Sequence, residues 1–436
     1  MTDRPNILLL FPDQWRWDYL GCEDSPYGKV PVRTPNIDRL AARGVHFLQC
    51  RTNSPVCSPA RACLALGVRY DRCGCPSNAH YTPSDRETMF ARLRQAGYHT
   101  ATCGKSDLFK PNRLPTRSGY LPIMDTYGFS DGIDHRGKGD AINLARAGID
   151  EPYTVMLRER GLLDTHLADH PENSLGRAAY PTPLPNDAYT DDFCAANALK
   201  LLDRTPDDTP WCLWVNFPGP HNPFDPPADA LEIYADVEFP PPVNPADNPP
   251  SRRDAREDRR HYAASCTNID RLIGRLLQQI EKRGELDNTL IVFSSDHGEM
   301  LGDHGRWAKS VPQEGSVHVP LIVAGPGVQA GGISDALAET VDLSTTVLEA
   351  AGLAPLDDTD GRSLWPVLSG REANADLRDV QISALGKWQM AFDGRYKLVR
   401  TEGEPDRLYD LREDPAELTD VSGEHADELA RLGAAL

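Results

Sequence analysis

"NILLLFPDQ", residues 6–14, sets an almost unbroken apolar run against a Pro-Asp-Gln ending. A strand with one wet face alternates apolar and polar residues, whereas a strand covered on both faces has no reason to. The run therefore reads as a strand of a parallel sheet buried between helices. Four more runs share its character: "HTATCG" (99–104), "WCLWVNF" (211–217), "TLIVFSS" (289–295) and "VPLIVAG" (319–325). Helical patterns lie between them. "TPNIDRLAARG" (34–44) has Thr34 before Pro35 and ends on Gly44, the start and stop asymmetry of helices. "RETMFARLRQAG" (86–97) and "DDFCAANALKLLDR" (191–204) space apolar residues by three and four, and "HYAASCTNIDRLIGRLLQQIEKRG" (261–284) is the longest such pattern. Together they predict an α/β fold with a large, mostly parallel central sheet between helical layers.

At 436 residues the chain exceeds one ordinary core, which predicts a large domain with a smaller appendage. The pattern changes after "VDLSTTVLEAAGL" (341–353). "DVQISALG" (379–386), "WQMAFDGRYKLVRT" (388–401) and "DRLYDL" (406–411) are short runs, with Asp393 and Gly394 as a hairpin turn. The expected division is residues 1–354 as catalytic domain and 355–436 as a small antiparallel C-terminal subdomain. Residues 111–190 show weak periodicity and 218–250 are crowded with prolines; both are read as surface excursions that shape a cleft. "SRRDAREDRR" (251–260) is read as the solvated start of a helix.

A formal charge of -19 argues against nucleic acid or an anionic membrane surface as partner. No stretch approaches the ~20 apolar residues that span a bilayer. "NILLLF" is too short for the core of a signal peptide and lacks a small-residue cleavage site, so a cytoplasmic location is expected. The ten cysteines are then expected to be reduced and mostly buried, and "CGC" at 73–75 lacks the spacing of a zinc ribbon.

In open α/β sheets, ligands bind beyond the carboxyl ends of the strands. Four of the five runs end in chemistry: Asp13 and Gln14 after the first, Lys105, Ser106 and Asp107 after the second, His221 after the third, Asp296 and His297 after the fourth. Asp13, Asp296 and the amide oxygen of Gln14 would offer a hard cation two carboxylates and a neutral oxygen, with His297 completing the shell. An aspartate in such a place also commonly caps a helix. Asp-His recurs at Asp303 and His304, and position at a strand end favours the earlier pair. "VCSPARACLAL" (56–66) puts Cys57 two residues before Pro59, which suits a first helical turn. The N–H groups and dipole there would stabilise negative charge on Cys57, and Arg61 adds a permanent cation. A free cysteine is otherwise most often a small buried hydrophobe.

"CSPAR" (57–61) matches the Cys-x-Pro-x-Arg signature of the sulfatase family, part of the alkaline phosphatase superfamily. The chain resembles that family over nearly its whole length, through "NILLLFPDQ", Gly104-Lys105, "PHNPF" (220–224), "SSDHGEMLGDHGRWAK" (294–309), "GSVHVPLIV" (315–323) and "LYDLREDPAEL" (408–418). The resemblance implies a sulfuric ester hydrolase whose Cys57 is oxidised to formylglycine by a formylglycine-generating maturation enzyme. It implies one divalent metal ion, Ca2+ ahead of Mn2+ or Mg2+, with Asp13, Gln14, Cys57, Asp296 and His297 as ligands. A hydroxyl of the hydrated aldehyde, held by Arg61, would attack sulfur in line with the leaving alcohol. Lys105 and Lys309 would clamp the sulfate oxygens, and His221 or Lys309 would protonate the leaving oxygen. The second hydroxyl would then expel sulfate and restore the aldehyde. Three positions depart from the commoner family pattern: Gln14 replaces a second aspartate, His297 an asparagine, and Asp107 a histidine. The glutamine and histidine also resemble the branch holding choline sulfatases and phosphonate monoester hydrolases. Two alternatives follow, a phosphonate monoester or phosphodiester hydrolase using the same site, and a non-catalytic binder of sulfated ligands in which Cys57 stays a thiol. The expected substrate is a small-molecule or saccharide sulfate ester, its alcohol held by the excursions 111–190 and 218–250, the first of which carries His135 and Arg136. A homo-oligomer is compatible with this reading.

Overall fold

In the computed structural model, which describes residues 4–110, 119–120, 122–170, 179–245, 254–371 and 377–436, the opening stretch is strand β1 (Asn6–Leu10), buried throughout. Along the chain follow β2 (Gly44–Phe47), β3 (Cys50–Arg51), β4 (His99–Gly104), β5 (Asp131–Asp134), β6 (Trp211–Asn216), β7 (Thr289–Ser294), β8 (Leu321–Ala324), β9 (Gly332–Ser334) and β10 (Ala338–Glu339). Eight of them form one sheet in the order β5-β4-β6-β1-β7-β8-β2-β9, and β3 pairs with β10 beside it. The sheet is the expected mostly parallel one, with β8 alone reversed against both its neighbours.

Why the runs do not alternate is visible in β1. Leu8 and Leu10 pack into the layer of helices Pro35–Ala42, Thr190–Asp203 and Ala255–Lys282, through Ile37, Ala198 and Ile269. Ile7 and Leu9 pack into the opposite layer, against Leu64, Phe90 and Val347 of helices Cys57–Leu66, Met89–Gln95 and Asp342–Ala350. Each such buried side chain contributes roughly 1.5–3 kcal/mol, so a polar residue on either face would be costly.

Four expectations are corrected. Residues 111–190 are not all excursion: beyond 111–118, 121 and 171–178, which lie outside the described residues, they supply β5 and the helices Pro122–Thr126, Lys138–Arg146, Pro152–Glu159 and Leu163–Asp169. β5 is a short sheet-edge strand buried at every second residue, and the helices span nine residues or fewer, so no long period betrays them. Gly44 does not end the first helix but opens β2, where a Cβ would come within 2.0 Å of the Val323 carbonyl oxygen. "VPLIVAG" is a buried strand, but antiparallel. Of "SRRDAREDRR", 251–253 lie outside the described residues, and Asp258 and Arg259 are buried rather than solvated, Arg259 pairing with Asp303 at 2.5 Å.

The C-terminal strands β11 (Gln381–Leu385), β12 (Trp388–Phe392), β13 (Tyr396–Thr401) and β14 (Arg407–Asp410) make a separate antiparallel sheet. Asp393 turns the β12–β13 hairpin by accepting the N–H groups of Arg395 (2.9 Å) and Tyr396 (2.7 Å), and Gly394 takes φ 95°. Buried Lys397 of β13 bridges Glu314 (2.9 Å) and Glu417 (2.7 Å), and Arg51 of β3 holds the other oxygen of Glu314 at 2.6 Å. All ten cysteines are free, nine of them buried. Among the described residues no helix is long and apolar enough to cross a membrane.

Candidate active site

The carboxyl ends of β4, β6, β1 and β7 stand side by side in the sheet, so the residues following them converge. The Asp13 N–H donates to the carbonyls of Phe217 (3.0 Å) and Gly219 (3.1 Å), tying the turn after β1 to that after β6. The Gln14 N–H donates to Asp296 Oδ1 (3.0 Å), tying it to the turn after β7. Cys57 arrives from outside the sheet as the first residue of helix Cys57–Leu66, with Pro59 in its first turn.

Asp13, Cys57, Asp296 and His297 are all buried, and their donor atoms lie within 4.8 Å of one another. Cys57 Sγ is 3.3 Å from His297 Nε2 and 3.7 Å from Asp13 Oδ1. The other ring nitrogen, His297 Nδ1, faces the Gly298 carbonyl at 3.0 Å. A carbonyl only accepts, so Nδ1 carries a proton and Nε2 is the nitrogen turned toward the cluster. Two carboxylates and an imidazole form a donor set that fits a divalent cation. Burial opposes ionisation of Asp13, but the neighbouring cations, Lys105 foremost, outweigh it and hold the carboxyl well below its usual range. Gln14 takes φ 70°; its Oε1 accepts from Lys309 Nζ at 2.6 Å.

Cations ring the cluster. Arg61, wholly buried, donates from Nε to Asp296 Oδ2 (3.0 Å) and from Nη1 to Asn216 Oδ1 (2.5 Å). Its guanidinium lies 5.5 Å from the Phe11 ring centroid. Asn216 is itself oriented by donating to Thr102 Oγ1 (3.2 Å) and the Cys103 carbonyl (3.3 Å). Lys105 pairs with Asp13 Oδ2 and, at 3.1 Å, with Asp107. Burial and the Asp13 carboxylate push the Cys57 thiol up, yet Lys105, Lys309 and His297 prevail and bring it down to about 7. Cations thus face position 57 in a chain of charge -19.

His221 and Lys309 meet above this floor, Nε2 to Nζ at 2.8 Å. Lys309 has only protons to give, and His221 Nδ1 faces the Asn222 carbonyl at 2.7 Å, so the ring is neutral with Nε2 accepting. Burial and the Lys309 ammonium both hold its pKa well below the ordinary value.

Asp107, at φ 54°, has burial working against its charge but is held ionised by Lys105 and then Lys110, each 3.1 Å away. Asp303 of the second Asp-His pair stands elsewhere, between Arg16 and Arg259. His135 and Arg136 are buried; His135 packs on Phe193, and Arg136 Nη1 donates to the Lys110 carbonyl at 3.3 Å. Asn216, Glu299 and Lys110 are the residues sequence reasoning missed. Asn216 had a signal, a polar residue closing an apolar strand. Glu299, which accepts from the Gln14 amide, and Lys110, which pairs with Asp107 and Asp140, had none, because each acts through another side chain.

A family model described as "Sulfatase" matches residues 5–353, and one described as "N-sulphoglucosamine sulphohydrolase, C-terminal" matches 302–432. The choline-sulfatase of Rhizobium meliloti (strain 1021) is 32% identical, over 97% of this chain and 83% of its own. The arylsulfatase of Clostridium perfringens is 27% identical, over 96% and 90%. The crystal structure of the phosphonate monoester hydrolase of Agrobacterium radiobacter superposes with a TM-score of 0.81 at 26% identity, over 99% of this chain and 94% of that one.

Proposed function

The chain belongs to the sulfatase family and is a sulfuric ester hydrolase; on that premise we propose that it turns over a sulfate monoester at position 57. The observation that carries this is the buried cluster of Asp13, Cys57, Asp296 and His297, ringed by Arg61, Lys105 and Lys309. Asp13, Asp296 and His297, with Gln14 and the residue at 57, would hold one divalent ion, Ca2+ ahead of Mn2+ or Mg2+, which supplies charge against the sulfate oxygens and acidifies the nucleophile. Oxidation of Cys57 to formylglycine by a maturation enzyme would supply a hydrated aldehyde, a nucleophile with a second hydroxyl for release.

The chain's own residues do the rest. Arg61, pinned by Asp296 and Asn216, holds a fixed positive charge beside position 57. Lys105, on Asp13, and Lys309, on Gln14, can clamp the sulfate oxygens. Of the pair above the floor, Lys309 carries the proton and His221 accepts it, which favours Lys309 as the acid that protonates the leaving oxygen and His221 as the group that aims it. Asp107, held ionised by two lysines, is a weak base and better suited to orienting Lys105. Residues 1–354 would be the catalytic unit, braced by residues 355–436 where Trp388 Nε1 donates to the carbonyl of Ser310 beside Lys309 (3.1 Å). A cytoplasmic location fits ten unpaired cysteines.

Rates on an aryl sulfate, an aryl phosphate diester and an aryl phosphonate, with choline and sugar sulfates alongside, test the assignment, and peptide mass spectrometry reads position 57. Sulfate ester turnover by protein carrying the aldehyde is expected. A phosphonate rate leading by orders of magnitude would favour the second reading, which the structural likeness to a phosphonate monoester hydrolase recommends. Cysteine alone at position 57 in turnover-inactive protein made with its maturation enzyme would indicate a sulfated-ligand binder.

The acid role of Lys309 has its own signature. Lys309→Met is expected to slow an alkyl sulfate by about 10²–10⁴-fold but a nitrophenyl sulfate far less, because a good leaving group needs little proton transfer. Equal losses on both substrates would assign the proton elsewhere.

A further inference from the structure

Glu299 lies two residues beyond His297 and is almost wholly buried. One carboxylate oxygen accepts from the side-chain amide of Gln14, and the other accepts the backbone N–H groups of Leu301 (3.1 Å) and Ala308. An amide carries a donor at one end and an acceptor at the other, so fixing the Gln14 NH2 on Glu299 leaves its oxygen for the Lys309 ammonium, 2.6 Å away. The second tie acts on the backbone that presents Lys309. Met300 N–H donates to the Ala308 carbonyl (2.8 Å) while Ala308 N–H returns to Glu299, closing the loop. Ala308 and Ser310, on either side of Lys309, hold φ of 66° and 79°. Residues with a Cβ stay in that left-handed region only where the surroundings over-determine it.

We propose that Glu299 is a positioning residue that locks the Gln14 amide and the Ala308–Ser310 backbone to one another, and so delivers the Lys309 ammonium to a single point between Gln14 and His221. A carboxylate is required because these three groups on it are all donors; a glutamine would turn its own donor against at least one of them. The inference rests on the reading of Lys309 as the substrate-facing cation.

The test is a cycle of Glu299→Gln, Lys309→Met and the double variant, read as kcat/KM with melting temperature measured alongside. E299Q alone is expected to lower kcat/KM by about 10–100-fold, chiefly through kcat. In the Lys309→Met background at saturating Ca2+ it should cost almost nothing, since no ammonium remains to be placed and added ion offsets any loosening of Gln14 as a ligand. Losses that multiply instead would overturn the proposal, because a residue serving only the fold weakens both backgrounds alike. Should E299Q fail to fold, Glu299→Asp, which keeps the charge but is too short to make all three bonds, is expected to show a smaller loss with the same non-additivity, and multiplying losses there would overturn it equally. If the wild type hydrolyses another anionic ester in place of a sulfate, the functional reading fails while the cycle, run on that ester, still decides the role of Glu299.

Discussion

Cys57→Ala is expected to lose about four to six orders of magnitude in kcat on an aryl sulfate, the scale on which removing a covalent nucleophile acts. The argument is positional. The side chain is 1% exposed at the head of its helix, 3.3 Å from His297 and 3.7 Å from Asp13, so nothing can take its place without rebuilding the floor of the site. Alanine keeps the helix and its packing, and the variant should melt close to the wild type. Cys57→Ser makes the sharper comparison. A serine hydroxyl can attack sulfur once, but its ester has no neighbouring hydroxyl to expel sulfate. Rapid-quench kinetics should therefore show a burst of alcohol of at most one equivalent per enzyme, with negligible turnover after it. An alanine variant within tenfold of the wild type would refute the placement of chemistry at this residue, and a serine variant that turns over steadily would refute the need for the aldehyde.

How much of this was legible beforehand depended on whether a residue's environment imprints on its neighbours. β1, β6 and β7 stood out because both faces of the sheet are covered and alternation disappears. The run that became β8 carried the same signal, yet its reversed direction did not show, since apolar periodicity is blind to which way a strand runs. β5 was hidden by its edge position, and β2 by a glycine that looks like a helix stop but is needed because a Cβ there would lie 2.0 Å from the Val323 carbonyl oxygen. At the site, Asp13, Lys105 and Asp296 were found because each follows a strand end. Asn216, which aims Arg61, left only the trace of a polar residue closing the β6 run, whereas Glu299, which aims Gln14 and a loop, left no periodic or positional trace.

Asp296→Asn should separate the two things this carboxylate does. Its Oδ1 accepts the N–H groups of Gln14 and His297, each at 3.0 Å, and an asparagine oxygen can keep both. Its Oδ2 faces Arg61 at 3.0 Å with both side chains wholly buried, and there the substitution sets an NH2 donor against a guanidinium. A buried ion pair deprived of one partner costs about 3–5 kcal/mol, because the remaining charge stays desolvated. Asn216 Oδ1 at 2.5 Å and the rings of Phe11 and Trp214 still face Arg61, so the lower end of that range is expected by urea unfolding. Activity should fall further than the roughly 10–100-fold typical of residues standing behind a metal ligand, since the donor set itself loses a charge. The double variant Asp296→Asn with Arg61→Gln removes the unpaired cation and should recover most of the stability without recovering turnover. If the double variant is no more stable than the single, Arg61 is not the charge that Asp296 neutralises. If the single variant keeps wild-type kcat/KM at limiting Ca2+, Asp296 is not part of the cation's shell.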